Sequence, residues 1–455
     1  MKSASIPNSR VIAQYVASAH QRDLPPAVID AARLCLADWF GVAMGAWEED
    51  AGRIVGAVAA GWQSSGRATV LSGGQACAAL AALCNGTLAH CLDFDDTYVK
   101  AVTHTSAPVW AATLALGEET GASEAAMLAA FVAGFETASR VGYGLGEAVT
   151  ARGWHSTGVF GRLGAAAASA VLLKLDVERT LHALGAAATQ TSGLTASFGT
   201  MAKPFHAGKA AMDGVLSAQL AAGGFRAATG LLESAGGLDS ALVQDHSVRI
   251  KPADFSGWEI LNNSFKPYAA CHLTHPAVDA GRALHAKKFD LTQVRAIRAE
   301  VGELANQITG EKSGAPTSGL EGKFDLKYCV ALALHGQTLS AADFLEPLRA
   351  DPAVFATARK VTVAASPAMS FASARLEIEF ENGRSLASAV PVAKGHPGNP
   401  MTWDDMQGKF NGLVEPRLGT HTAALFGLLR EFGGKRAALA EIRSILGSPR
   451  VAHGA

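Results

Sequence analysis

The sequence predicts a mainly α protein built as a large all-helical domain and a smaller α+β domain. Three observations carry that prediction. Apolar residues recur at helical spacing from the N-terminus to about residue 262, with almost no strand-like alternation. Strand-like segments begin only after about residue 290. Helical spacing then resumes at 403–410 and 420–446. At 455 residues the chain is also longer than one hydrophobic core ordinarily organises.

Taken in order, Asp23 offers a helix cap and Pro25-Pro26 fits a first turn, where a missing N–H costs nothing. Val28, Ala32, Cys35, Leu36, Trp39 and Phe40 follow on one face. Ser123 caps another segment, with Met127, Leu128, Phe131, Val132 and Phe135 together. The Ala-rich segments 164–173 and 183–188 suit helices that pack closely and are buried on most sides. Gly121, Gly142 and Gly223 mark helix ends. Segments 294–302 and 358–366 are β-like. In 374–390, Leu376, Ile378 and Phe380 alternate with charges before Asn382-Gly383, a type I′ hairpin signal. Residues 395–402 read as a loop.

Composition excludes several classes. Hydrophobic residues make up 49% and charged residues 17%, which suits a large core and not a disordered chain. A net charge of −1 gives no global field for nucleic acid or an anionic membrane. The six cysteines form no CxxC pair and fit a reducing compartment. The first ten residues lack the apolar stretch of a signal peptide. The apolar run from Leu163 to Leu173, between Arg162 and Lys174, is too short to cross a bilayer. The expectation is a cytoplasmic protein with neither nucleic-acid nor membrane partners.

Four stretches combine titratable groups with glycine or proline. Residues 90–108 crowd Asp93, Asp95 and Asp96 beside Thr97 and Tyr98, with His104 following. Such clusters serve as caps and turns. Mutual repulsion can also leave one carboxyl protonated near neutrality. Residues 151–164 place His155 among glycines at a helix start, either as a core histidine or as a proton-transfer group. Residues 198–208 put Lys203 before Pro204 at another helix start. This is either a solvated helix end or a site for a carboxylate or phosphate. Residues 262–276 repeat the Lys-Pro pair at Lys266-Pro267 and add Tyr268, Cys271, His272 and His275. No GxxxxGK[ST] pattern indicates a nucleotide site; a metal reading stays open, since Asp and His are ligands and the His272–His275 spacing permits zinc, although HExxH and a convincing third ligand are absent. The inventory suits proton chemistry on a carboxylate-bearing substrate, where cations stabilise an enolate.

The same stretches resemble the MmgE/PrpD family. The carrying motifs are AHCLDFDDTY, GWHSTGVFG, FGTMAKPFHAGKAAMDG, SFKPYAACHLTHP and KFDLKYCVALALHG. The resemblance spans roughly residues 10 to 445. It implies a helical domain over 1–265 and 400–455, an α+β lid over 266–399, and a cleft between them. It also implies a cofactor-independent homodimer without a metal, acting on a small di- or tricarboxylate. The carried-over catalytic residues are Asp93, Thr97, His104, His155, Lys203 and Tyr328, and the substrate-binding residues are Lys203, Lys266, Tyr268 and His275. His206 is read as a structural helix residue. Two departures stand out: His104-Thr105-Ser106 replaces the usual His-Pro-Ser, and GTMAKPFHAG resembles the decarboxylase and epimerase branch, not the methylcitrate dehydratases. The implied activity is a lyase. The alternatives are an epimerase or a non-catalytic carboxylate-binding protein.

Overall fold

Prolines and capping side chains set many of the helix starts. Pro25 and Pro26 open α2 (Pro26–Gly45), with Pro25 and not Asp23 at the capping position. Ser123 caps α6 (Glu124–Gly142), accepting from the Ala126 N–H at 3.2 Å. Gly121 ends α5 (Ser106–Thr120) in the left-handed conformation. The other helices of the N-terminal half are α1 (Asn8–Ala17), α3 (Asp50–Gly61), α4 (Ala78–Cys91), α7 (Gly146–Ala151), α8 (Ser156–Leu172), α9 (Val177–Ala188), α10 (Ala202–Ala222) and α11 (Leu238–Val243). One small antiparallel pair, β1 (Ala68–Thr69) with β2 (Gln75–Ala76), interrupts them.

This computed structural model describes residues 7–245, 247–345, 351–434 and 437–447. The first six residues, part of the opening segment read for a signal peptide, lie outside the described residues. The chain divides into two compact units, one ending at Ser264 and resumed from Met406, the other Phe265–Asp405.

In the first unit every residue of α8 is buried. Its glycines and alanines allow neighbouring helices to approach on all sides. α10 packs against both α4 and α8. Where it crosses α4, a Cβ added to Gly86 would lie 2.9 Å from the Gly208 Cα. A Cβ on Gly208 would overlap the Leu83 carbonyl oxygen and Thr87 Oγ1. Gly→Ala in a helix interior ordinarily gains about 1 kcal/mol in propensity. Overpacking a tight contact costs about 1–3 kcal/mol, and here the obstacle is backbone. The clash therefore wins. Gly208→Ala is expected to destabilise the protein by about 1–2 kcal/mol in urea unfolding, and equal or higher stability would refute this close crossing.

The second unit contains α12 (His275–His285), β3 (Val294–Val301), α13 (Leu326–Leu334), α14 (Pro352–Ala358), β4 (Val361–Ala365), β5 (Ala374–Phe380) and β6 (Ser385–Val390). The sheet order is β4-β3-β5-β6; β3 and β4 are parallel and the other pairs antiparallel. Ile297, Leu376 and Ile378 pack with Leu284, Val330 and Leu334 of the helices, burying one face. The expected strand 358–366 is shorter, because α14 runs to Ala358. The predicted hairpin forms, but its turn is not type I′. Gly383 takes a positive φ of 79° and Asn382 does not. The Gly383 N–H reaches the Phe380 carbonyl at 3.0 Å and closes a loop that is one residue longer than the two-residue turn.

The C-terminal helices are α15 (Trp403–Leu418), α16 (Thr422–Arg430) and α17 (Leu439–Leu446). The expected continuous helix 420–446 is broken because Gly433 adopts a φ of 73°. The Glu124 carboxylate accepts from the N–H groups of Gly433 (2.8 Å) and Leu439 (2.7 Å), fixing the break. Lys409 of α15 donates to Asp38 Oδ1 (2.6 Å) and to the Phe94 carbonyl (2.7 Å). The C-terminal segment thereby anchors the loop that carries the acid cluster. No helix among the described residues is long and apolar enough to cross a membrane.

Candidate active site

The end of α4 sets the first group of side chains. His90 lies in its last turn, buried. Beyond the helix, Asp93 turns the chain with a left-handed φ of 52°, a conformation that aspartate tolerates better than most residues. Thr97 then exchanges backbone hydrogen bonds with Ser264 at 2.8 and 3.0 Å. His104 follows just before α5. His155 occupies the capping position of α8, and its N–H donates to the Gly193 carbonyl at 3.0 Å. Lys203 and His206 lie in the opening turns of α10. Because α10 crosses α4 so closely, its first turn comes within reach of the Asp93 loop.

α10 begins at Ala202, so Lys203 sits inside the first turn with Pro204, not ahead of the helix as expected. No helix starts at Lys266-Pro267; the next one begins at His275. The two Lys-Pro pairs are therefore different local structures.

These elements bring together Asp93, His104, His155 and Lys203 of the expected set. Lys203 Nζ pairs with Asp93 Oδ1, both side chains being largely buried. His104 Nε2 lies 3.8 Å from Asp93 Oδ1. Asp95 faces two imidazoles: His90 Nδ1 at 2.9 Å and His104 Nδ1 at 3.2 Å. The first contact is an aligned hydrogen bond; the second is a close ion-pair contact off the ring N–H direction. The His90 ring stacks on His155 at 5.6 Å between centroids. His155 Nδ1 meets His206 Nδ1 at 3.1 Å. Phe198 touches the edge of His155, and Lys203 Nζ lies 5.5 Å from the Phe198 ring centre.

Burial sets much of the electrostatics. It pushes His90 down to about 4, with Lys203 and His104 adding repulsion and Asp95 opposing. Burial also holds His155 well below the ordinary imidazole value, helped by His90, Lys203, His104 and His206. His206 is lowered by burial, Arg162 and Lys203. These three rings are neutral at pH 7. Burial alone would raise Asp95, but the facing His104 and His90 outweigh it and hold the carboxyl well below its usual range. Asp96 is pushed up to about 7 by burial and by Asp38. It is tied to the Ser106 hydroxyl and to Asn263 Nδ2 (2.7 Å). The acid cluster thus holds one carboxyl that titrates near neutrality, mainly through burial and less through mutual repulsion.

Two buried polar atoms here, His90 Nε2 and Thr97 Oγ1, have no hydrogen-bond partner among the described residues. Leaving such an atom unsatisfied costs about 1–3 kcal/mol. Buried polar atoms left open in this way are ones that a polar ligand can satisfy. His90, Asp95 and His104 also place three metal-type ligand atoms within 4.8 Å of one another. The Asp95 carboxylate is engaged by the imidazoles, and that arrangement matches a carboxylate orienting histidines.

The remaining expected residues lie in the second unit. Lys266 is buried. Tyr268 donates its hydroxyl to Asp279 at 2.6 Å, and His275 Nε2 lies 3.2 Å from the Ala270 carbonyl. Tyr328, on α13, is fully buried, and its hydroxyl has no partner among the described residues. Burial pushes its phenol up to about 12.

Two residues escaped the sequence reading. His90 lay inside a quoted motif and was given no role; its spacing to Asp95 across a helix end was the available signal. His206, read as structural, is the direct neighbour of His155.

Sequence profiles of the MmgE/PrpD N-terminal domain and C-terminal domain match residues 10–251 and 268–430. The chain is 28% identical over 408 residues to a cis-aconitate decarboxylase of Aspergillus terreus, covering 82% of each chain. It is 28% identical to a cis-aconitate decarboxylase-like protein, oryM, of Aspergillus oryzae, covering 90% of this chain and 92% of that one. It is 26% identical to the Homo sapiens cis-aconitate decarboxylase, covering 75% of this chain and 74% of that one.

Proposed function

The chain belongs to the MmgE/PrpD family, and on that premise we propose that it is a cofactor-independent lyase, a decarboxylase or dehydratase, acting on a small di- or tricarboxylate. The observation that carries this reading is the convergence of Lys203, Asp93, His104 and His155 around buried, neutral imidazoles. Loss of CO₂ or water from such a substrate passes through a carbanion stabilised as an enolate. In decarboxylation the electrons of the breaking C–C bond stay on the α-carbon, which then takes one proton. In dehydration a base first removes an α-proton and hydroxide leaves with the help of an acid.

Lys203 binds a substrate carboxylate and stabilises the negative charge as it develops. His155, neutral at pH 7, is available as a base, and His104 is the second proton carrier. Asp93 positions the Lys203 ammonium and Thr97 offers its hydroxyl to the ligand. The roles of Lys266, Tyr268, His275 and Tyr328 in substrate binding and proton delivery rest on their motifs. The protein is proposed to be a cytoplasmic homodimer. Exposed Phe205, Leu216 and Leu220 share one side of α10 and supply an apolar surface for a second copy.

The test is an NMR-monitored incubation with a panel of di- and tricarboxylates in D₂O, beginning with cis-aconitate, the substrate named by the relatives. Net loss of CO₂ with one deuterium taken up by the product, or net loss of water with the α-hydrogen released to solvent, is the expected result. Deuterium incorporation without net loss would favour epimerisation, the reading that the GTMAKPFHAG stretch also fits. Thermal stabilisation by several acids with no product from any would favour a carboxylate-binding protein.

A further inference from the structure

We propose that Asp95 is a positioning residue that fixes His90 in the Nδ1–H tautomer, so that the buried His90 Nε2 is presented to the ligand as a hydrogen-bond acceptor. The inference rests on the lyase reading for its kinetic consequence, and on geometry alone for the tautomer.

The argument begins with donor and acceptor types. An ionised carboxylate can only accept hydrogen bonds. Asp95 is buried and lies 2.9 Å from His90 Nδ1. The proton in that bond must therefore sit on Nδ1, and a neutral His90 has a bare lone pair on Nε2. That Nε2 is itself buried and has no partner among the described residues. The same carboxylate lies 3.2 Å from His104 Nδ1 as a close ion-pair contact, and His104 Nε2 lies 3.8 Å from Asp93. One anion thus faces two rings.

The groups around His90 come from four elements. Asp93 and Asp95 follow α4, His104 precedes α5, His155 precedes α8 and Lys203 lies on α10. Among them Asp95 is the acceptor in hydrogen-bond contact with His90 Nδ1. A second anion at His90 Nε2 would meet an acceptor lone pair. The atom therefore selects a donor: a hydroxyl, a protonated carboxyl or a water molecule held by the substrate.

The experiment uses the full-length protein labelled with ¹⁵N-histidine, with His90→Gln to assign the His90 signals. Wild type at pH 7 is expected to show His90 protonated on Nδ1 and unprotonated on Nε2. Asp95→Asn is expected to abolish that preference and to lower kcat by ~10²-fold or more with a much smaller change in KM. Asp95→Glu, which keeps an acceptor-only group, is expected to recover part of both. A wild-type His90 protonated on Nε2 overturns the proposal, whether or not Asp95→Asn folds. So does an Asp95→Asn protein with wild-type tautomer and kcat. If wild type turns over no carboxylate but shows the Nδ1–H tautomer, the lyase reading falls and the positioning role of Asp95 stands.

Discussion

Lys203→Ala is expected to reduce kcat/KM by about 10³-fold while leaving the fold intact. The lysine supplies two things at once. Its ammonium offers a charge-assisted hydrogen bond to a substrate carboxylate, and it meets the charge that grows as the enolate forms. Removing a single preorganised donor from such a site ordinarily costs about 10²–10³ in rate. Here the loss is compounded, because the largely buried Asp93 carboxylate would lose its ion-pair partner. With this positive charge removed, the Asp93 carboxylate would repel an anionic substrate more strongly. Lys203→Arg is not expected to restore activity, since a guanidinium is a planar fork and the pairing seen is with a compact point charge. Circular dichroism and a thermal melt separate this from unfolding. A Lys203→Ala enzyme within tenfold of wild type would remove Lys203 from the chemistry.

His155→Ala is expected to cost about 10²–10⁴-fold in kcat, the usual contribution of a positioned proton-transfer group. The pH profile sharpens the test. Burial, with His90, Lys203, His104 and His206 nearby, holds His155 well below the ordinary imidazole value. A group depressed in this way keeps its base form as pH falls through 6.5 and takes a proton only at lower pH. Wild-type kcat/KM is therefore expected to show no loss from His155 protonation between pH 6 and 7. An acid limb centred near 6.5 that disappears in His155→Ala would contradict this environment. Near-normal turnover by His155→Ala would contradict the role.

The sequence is most legible where one short-range rule decides the outcome. Pro26, Ser123 and Gly121 mark helix ends because they act on neighbouring backbone groups. Alternation in 374–380 identifies β5 because one face is buried. The failures have a common source in longer-range competition. The break at Gly433 depends on a carboxylate from Glu124, more than three hundred residues earlier in the chain. The hairpin turn took one extra residue, which the Asn-Gly pair alone does not reveal. Within the site, Asp93, His104, His155 and Lys203 could be named because the motifs that carry them resemble those of the family. Their mutual arrangement could not. That Asp95 serves two histidines, or that His206 touches His155, follows from how α4, α8 and α10 cross. His90 shows the limit clearly: in one dimension it is a histidine in an apolar helix, and only the fold turns its Nδ1 onto Asp95.

The tight crossing of α10 with α4 has a consequence for insertions and deletions. Gly208 is held against α4 where no Cβ fits, while Lys203 projects from the same helix toward Asp93. The residues between them act as a ruler between an anchor and a working end. Adding or removing one residue there would swing Lys203 by about 100° around the helix axis and shift it by about 1.5 Å. The anchor cannot slide to compensate. In this segment the chain should accept changes of side chain far more readily than changes of length.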